Sequence, residues 1–148
     1  MVTPENWRDL VCRDLTTWDG TPYVPEARVK GVGVDCGGLL YEVYNPYFGP
    51  FAAYPRYSAD WSLHEANGEK YLDFIMPYVK EIGEAVRGGF SLFHLGLRYA
   101  HAAIYIGNNQ YTHAWGRLRA GSVTTTPVRV MNWLGKGHPI KHFEPVVK

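Results

Sequence analysis

The chain has 148 residues, a length that fits one domain around a single core. Hydrophobic residues make up 46% and charged residues 20%, an ordinary globular balance, and a net charge of +1 gives no bulk electrostatic case for a nucleic-acid or membrane partner. Two cysteines, Cys12 and Cys36, are too few for a disulfide scaffold, no apolar run approaches membrane-spanning length, and the Met1–Trp7 segment has neither the basic nor the apolar region of a signal peptide. The 11 tyrosines and 5 tryptophans point to a broad aromatic core or an extended cleft for a polymeric ligand.

Thr3-Pro4 reads as a helix start, with Thr3 as cap and Pro4 in the first position. Trp7, Leu10, Val11, Leu15 and Trp18 then recur at helical spacing, and Asp19-Gly20-Thr21-Pro22 ends the helix in a turn. Residues 24–34 read as a loop. A second helix is expected from Cys36 to Tyr44, ahead of Asn45-Pro46. Residues 46–62 form an irregular aromatic stretch with three prolines, and a third helix is expected over 63–76, stopped by Pro77.

The character then changes. Short strands are expected at 90–93, 100–106, 110–115, 122–126 and 140–143, with a hairpin at Gly107-Asn108-Asn109 and one helical turn at Val128 to Leu134. Helices first and an antiparallel sheet second is the α+β pattern, and residues 1–148 read as one domain.

Cys36 follows Asp35 and opens an apolar run, so it falls in the first turn of a helix. Backbone N–H groups and the positive end of the helix dipole converge there and favour the thiolate, the species that attacks a carbonyl carbon. Such attack needs a base near the sulfur and a third group to hold that base in the right tautomer. His101 and His113 lie in consecutive strands, where a helix packed on the sheet could meet them, and the small Ala102 and Ala103 would admit that helix closely. Taken singly, Cys36 is an ordinary buried apolar residue and either histidine an ordinary structural one. Cys12 falls on the apolar stripe of the first helix and reads as core. His64, His94, His138 and His142 have no motif context and read as surface or structural residues. His138 and His142 have near-ligand spacing but no partner pair, so no metal site and no cofactor are expected.

Asp-Cys at a helix start, then His-Ala-Ala-Ile-Tyr-Ile-Gly from His101, then Tyr-Thr-His-Ala ending at Ala114, with Gly20-Thr21-Pro22-Tyr23 upstream, resembles the NlpC-type cysteine peptidases. These are papain-like hydrolases of bacterial cell-wall peptides, and the resemblance covers roughly residues 7 to 116. It implies a papain-like α+β fold, with Cys36 as nucleophile, His101 as general base then acid, and His113 orienting His101. Tyr23 matches a tyrosine that positions substrate or stabilises the oxyanion. The backbone N–H of Cys36 is the second oxyanion donor. Asp35 matches an acidic residue that contacts the stem-peptide amine, and its alternative role is to cap the helix. Gly37 replaces the serine common after the nucleophile and bears on substrate contacts. Gly88-Gly89 stands where a Gly-Asp pair often precedes the first strand, and the chain has no room for a separate wall-binding domain.

The implied activity is endopeptidase cleavage of peptidoglycan stem peptides, between D-γ-glutamate and the diamino acid. The short chain and its Tyr54-Pro55-Arg56-Tyr57-Ser58-Ala59-Asp60-Trp61 insertion resemble the phage-tail and gene-transfer-particle branch. That branch implies other tail proteins as partners, and residence in the host cytoplasm before assembly into the virion tail. Two other expectations stand beside it: a structural tail-tip protein with a vestigial site, and an amidase or acyltransferase on a non-wall substrate.

Strand alternation constrains this site. A flat two-residue hairpin at Asn108-Asn109 would put His101 and His113 on opposite faces of the sheet. A cooperating pair therefore predicts a β-bulge or strong twist in that hairpin.

Overall fold

The computed structural model describes residues 1–51, 75–95, 98–116 and 121–147, without the side chains of 95 and 98–100. The expected helix over 63–76 and the aromatic stretch beyond Phe51 therefore fall mostly outside the described residues, as does His64. What is described is α+β: helices α1 (Trp7–Thr16), α2 (Cys36–Phe48) and α3 (Val128–Leu134), with strands β1 (Arg28–Val29), β2 (Gly33–Val34), β3 (Val79–Ile82), β4 (Phe90–Leu95), β5 (Arg98–Gly107), β6 (Gln110–Trp115), β7 (Ser122–Pro127) and β8 (Lys141–Pro145). Strands β1 and β2 form a small hairpin. The other six make one antiparallel sheet in the order β3-β8-β4-β5-β6-β7.

Helix α1 starts at Trp7 with Asn6 as its cap residue, three positions later than Thr3-Pro4 suggests. Thr3 and Asn6 bond reciprocally, the Thr3 N–H to Asn6 Oδ1 (2.7 Å) and the Asn6 N–H to Thr3 Oγ1 (3.2 Å). That pair closes a turn ahead of the helix and takes the role expected of Thr3 alone. Trp7, Val11, Cys12 and Leu15 form the buried stripe.

Helix α2 runs through Pro46 to Phe48, where the sequence suggested a stop at Tyr44. A proline inside a helix costs about 3 kcal/mol. Packing of the aromatic side chains past it opposes that cost: Phe48 meets Trp7 and Tyr44 edge-on, and the Tyr47 hydroxyl donates to Asp14. Gly37 and Gly38 also weaken the helix, by about 1 kcal/mol each relative to alanine. Burial of Leu39, Leu40, Val43 and Tyr44 outweighs this, at about 1.5–3 kcal/mol per large apolar side chain. Packing on the sheet, not helix propensity, keeps α2 formed.

Two elements escaped the sequence reading. The loop at 24–34 contains the β1–β2 hairpin. Strand β3, Val-Lys-Glu-Ile, pairs among the described residues only with β8, at the sheet edge, and it carries just two apolar residues and no run to recognise. Helix α3 has seven residues, about two turns rather than one.

Strand alternation divides the core into two clusters. Ala102, Ile104, Ala114, Phe90, Leu92, Val123 and Phe143 join the α1 and α2 side chains on one side; Phe93, Ala103, Tyr111 and Met131 form the other. Of the two alanines expected to admit α2, only Ala102 joins the cluster that contains Cys36. Ala103 points the other way because it is the next residue in a strand.

Candidate active site

The start of α2 is fixed by one carboxylate. Asp35 is 1% exposed; its Oδ1 accepts from the Gly38 N–H (2.8 Å) and its Oδ2 from the Glu26 N–H (2.7 Å). The first bond is the helix cap and the second ties the loop before β1 to the helix entrance. Asp35 therefore performs the capping role. Cys36 follows it at the helix start, 7% exposed. A Cβ on Gly38 would come within 3.0 Å of the Ala27 carbonyl and of Asp35 Oδ1, so this crossing requires glycine.

Tyr23 joins the helix entrance to the end of the sheet. It bridges to Val34, two residues before Cys36, and its N–H donates to the Gly121 carbonyl at 2.7 Å. Its ring lies so close over Gly116 that a Cβ there would sit 2.3 Å from Tyr23 Cδ1. Burial raises the Tyr23 pKa, and the nearby Cys36 and Asp35 raise it further. The phenol therefore keeps its proton and is a donor at neutral pH.

The histidines meet through a bulge. Asn108 and Asn109 form the two-residue turn, both with positive φ (53° and 58°). Tyr105 pairs with Tyr111 but Gly107 pairs with Gln110, so Ile106 is the extra residue in β5. Continuing the Ile104–Thr112 register sets His113 opposite Ala103, diagonal to His101 and on its face. The ring centroids are 4.9 Å apart, and His101 Nε2 lies 2.7 Å from His113 Nδ1. The expected bulge is present. The two residues are diagonal neighbours, nearer in register than a flat ladder suggested.

Both rings are enclosed, His101 at 4% and His113 at 1% exposure. Burial lowers the His113 pKa to about 4, so this imidazole is neutral at pH 7. Its Nε2 lies 2.8 Å from Thr126 Oγ1 on β7. The Trp115 ring stacks on His113 and meets His101 edge-on, with centroids 5.7 and 4.9 Å away. The sequence reading missed both Thr126 and Trp115. Trp115 could have been found by alternation from His113, but Thr126 lies on another strand and depends on the β6–β7 register.

The remaining histidines lie elsewhere. His94 and His138 stack with centroids 3.8 Å apart, and His142 Nδ1 is 2.7 Å from Ser91 Oγ, which also bonds the Tyr111 hydroxyl. Neither Cys12 nor Cys36 is in a disulfide. Burial pushes the Cys12 thiol pKa up, the nearby Arg87 opposing this and Asp9 adding to it. Gly37 is buried in the first turn of α2.

The sequence profile of the NlpC/P60 family matches residues 18–135, which span the helix entrance and both strands of the histidine pair. The chain belongs to the NlpC/P60 family. A search of curated protein sequences finds no match. Among solved structures, the P60 domain of a Mycobacterium avium subspecies paratuberculosis antigen is 27% identical with a TM-score of 0.52, covering 84% of this chain and 87% of that one. The NlpC/P60 domain of the peptidoglycan hydrolase SagA is 21% identical with a TM-score of 0.58, covering 90% and 96%. NlpC2 of Trichomonas vaginalis is 18% identical with a TM-score of 0.65, and all of this chain matches 49% of that longer one. The last two likenesses carry the fold, the papain-like α+β arrangement of this family.

Two outcomes are expected. An ordinary thiol with a pKa of about 8.5 is well under 1% thiolate at pH 6. Iodoacetamide at pH 6 followed by peptide mass mapping should therefore label Cys36 at the helix start and spare Cys12; equal, slow labelling of both would show that Cys36 is not activated. For His113, the folded pKa of about 4 lies below the unfolded value near 6.5. The unfolded chain thus binds the extra proton first, and stability present above pH 6.5 is lost as pH falls toward 4. Urea unfolding at pH 7 and pH 4.5 should show about 2–3 kcal/mol more loss in wild type than in His113→Asn.

Proposed function

We propose that this protein is a cysteine endopeptidase that hydrolyses peptidoglycan stem peptides at the D-γ-glutamyl–diamino acid bond. The observation that carries the reading is the buried His101–His113 bond, on strands packed beneath the helix that begins at Cys36. A hydrogen-bonded imidazole pair and a cysteine at a helix start are the kinds of group that a nucleophile, a base and an orienting residue require. Membership in the NlpC/P60 family supports it, as does the likeness to the NlpC/P60 domain of SagA, a peptidoglycan hydrolase.

On this reading His101 Nδ1 takes the Cys36 proton, and the thiolate attacks the amide carbonyl. The Cys36 N–H and the Tyr23 hydroxyl hold the oxyanion. His101 returns the proton to the departing amine, leaving a thioester on Cys36. Water, deprotonated by His101, then releases the acid and restores the thiol. Neutral His113 holds the His101 ring throughout. Asp35 and Gly37 border the substrate's amine side, Asp35 chiefly by fixing the turn that presents Cys36. The Tyr54–Trp61 sequence segment supports placement in a phage tail, delivered to the wall with other tail proteins.

Purified wild type should release Cys36-dependent muropeptide fragments from sacculi, with mass analysis showing a new D-glutamate carboxyl and a free diamino-acid amine. Cys36→Ala and His101→Ala should reduce release to the blank, and His113→Ala should lower kcat by at least about 10²-fold. Cleavage that survives Cys36→Ala would overturn the peptidase assignment; fragments cut elsewhere would overturn the bond. Immunodetection in purified virions but not in tail-less particles is the expected result for tail placement, and its absence from virions would overturn that placement.

A further inference from the structure

The polar chain that begins at His101 does not stop at His113. It continues from His113 Nε2 to Thr126 Oγ1 at 2.8 Å, so three neighbouring strands each contribute one side chain. The β6–β7 register sets Thr124 opposite His113 and Thr126 opposite Tyr111. Thr126 is therefore diagonal to His113, as His113 is to His101.

A neutral imidazole carries one N–H and one bare nitrogen. Two arrangements fit these distances. In the first, His101 Nε2–H donates to His113 Nδ1, and His113 Nε2–H donates to Thr126 Oγ1. In the second, every donor is reversed: the Thr126 hydroxyl donates to His113 Nε2, and His113 Nδ1–H donates to His101 Nε2. The second leaves the neutral His101 proton on Nδ1, so that nitrogen cannot receive another. Only the first leaves His101 Nδ1 bare for a thiol proton while keeping Nε2–H bonded before and after transfer.

We propose that Thr126 is a positioning residue that accepts from His113 Nε2–H and so selects the tautomer in which His101 can act as base. The proposal rests on the Cys36–His101–His113 reading above. A threonine hydroxyl suits the task. Its oxygen accepts from the ring while its own proton turns to solvent, which Thr126, only partly buried, can reach. Proton transfer balances: Cys36 loses one proton, His101 Nδ1 gains it, and the two N–H groups beyond it stay in place. Valine has nearly the same shape and no acceptor, so it removes the selection without opening a cavity.

Nitrogen-15 NMR of histidine-labelled wild-type protein at pH 7 should show His113 with its proton on Nε2. A proton on Nδ1 would overturn the proposal without any variant. In the sacculus assay, Thr126→Val should lower kcat about tenfold or more with KM unchanged, and should move part of the His113 population to Nδ1–H. Thr126→Ser should recover most of the rate and the wild-type signature. A Thr126→Val enzyme with wild-type kcat and tautomer would overturn the role of Thr126 while His113→Ala remains impaired. Should Thr126→Val not fold, wild-type NMR and the serine variant decide: serine protein that loses both rate and tautomer overturns it. Cleavage that persists in Cys36→Ala instead overturns the underlying triad, so the two failures are distinguishable.

Discussion

Ile106, the extra residue in β5, sets the geometry on which the histidine pair depends. Side chains in a strand alternate, so a one-residue change in register sends every residue to the other face. With two residues in the turn and no bulge, His101 and His113 would lie on opposite sides of the sheet. The bulge between Tyr105 and Gly107 shifts the register by one and sets them diagonally on one face, 2.7 Å apart at their ring nitrogens. The turn residues Asn108 and Asn109 adopt positive φ, which asparagine tolerates better than most residues, so the sharp reversal and the bulge coexist.

The same economy governs the entrance of α2. A single buried carboxylate, Asp35, satisfies one N–H of the helix and one of the preceding loop. Glycine at position 38 lets the Ala27 backbone pass close enough for this to occur. The cost of two glycines in the first turn and a proline in the last is met by the helix's buried apolar face rather than by its own propensity. The placement of Cys36, the first residue of the helix, follows from that packing and from the Asp35 cap.

Burial sets the charge of His113. His113 is enclosed by Trp115 and the sheet, and desolvation keeps it neutral at ordinary pH. A neutral ring can hold another in one tautomer, but it cannot stabilise a cation as a carboxylate would. Tyr23, held over Gly116 and near Cys36 and Asp35, keeps its proton for the same reason that His113 stays neutral: the charged form is poorly solvated.

The sequence by itself determined the order of elements, the capped start of α2 at Asp35-Cys36, the hairpin at Asn108-Asn109, and the grouping of Tyr23, Cys36, His101 and His113 as residues of interest. These are local signals, carried by turn residues, period-two and helical spacing, and short motifs. It also constrained the hairpin, because two histidines with parity for opposite faces can cooperate only across a bulge or a strong twist. It could not reveal strand β3, the passage of α2 through Pro46, or the arrival of Thr126 beside the histidines. Each of those depends on what a neighbouring element places across a gap. The edge pairing of β3, the aromatic packing beyond Pro46 and the β6–β7 register are long-range contacts, and they arise only when distant segments meet in the folded core.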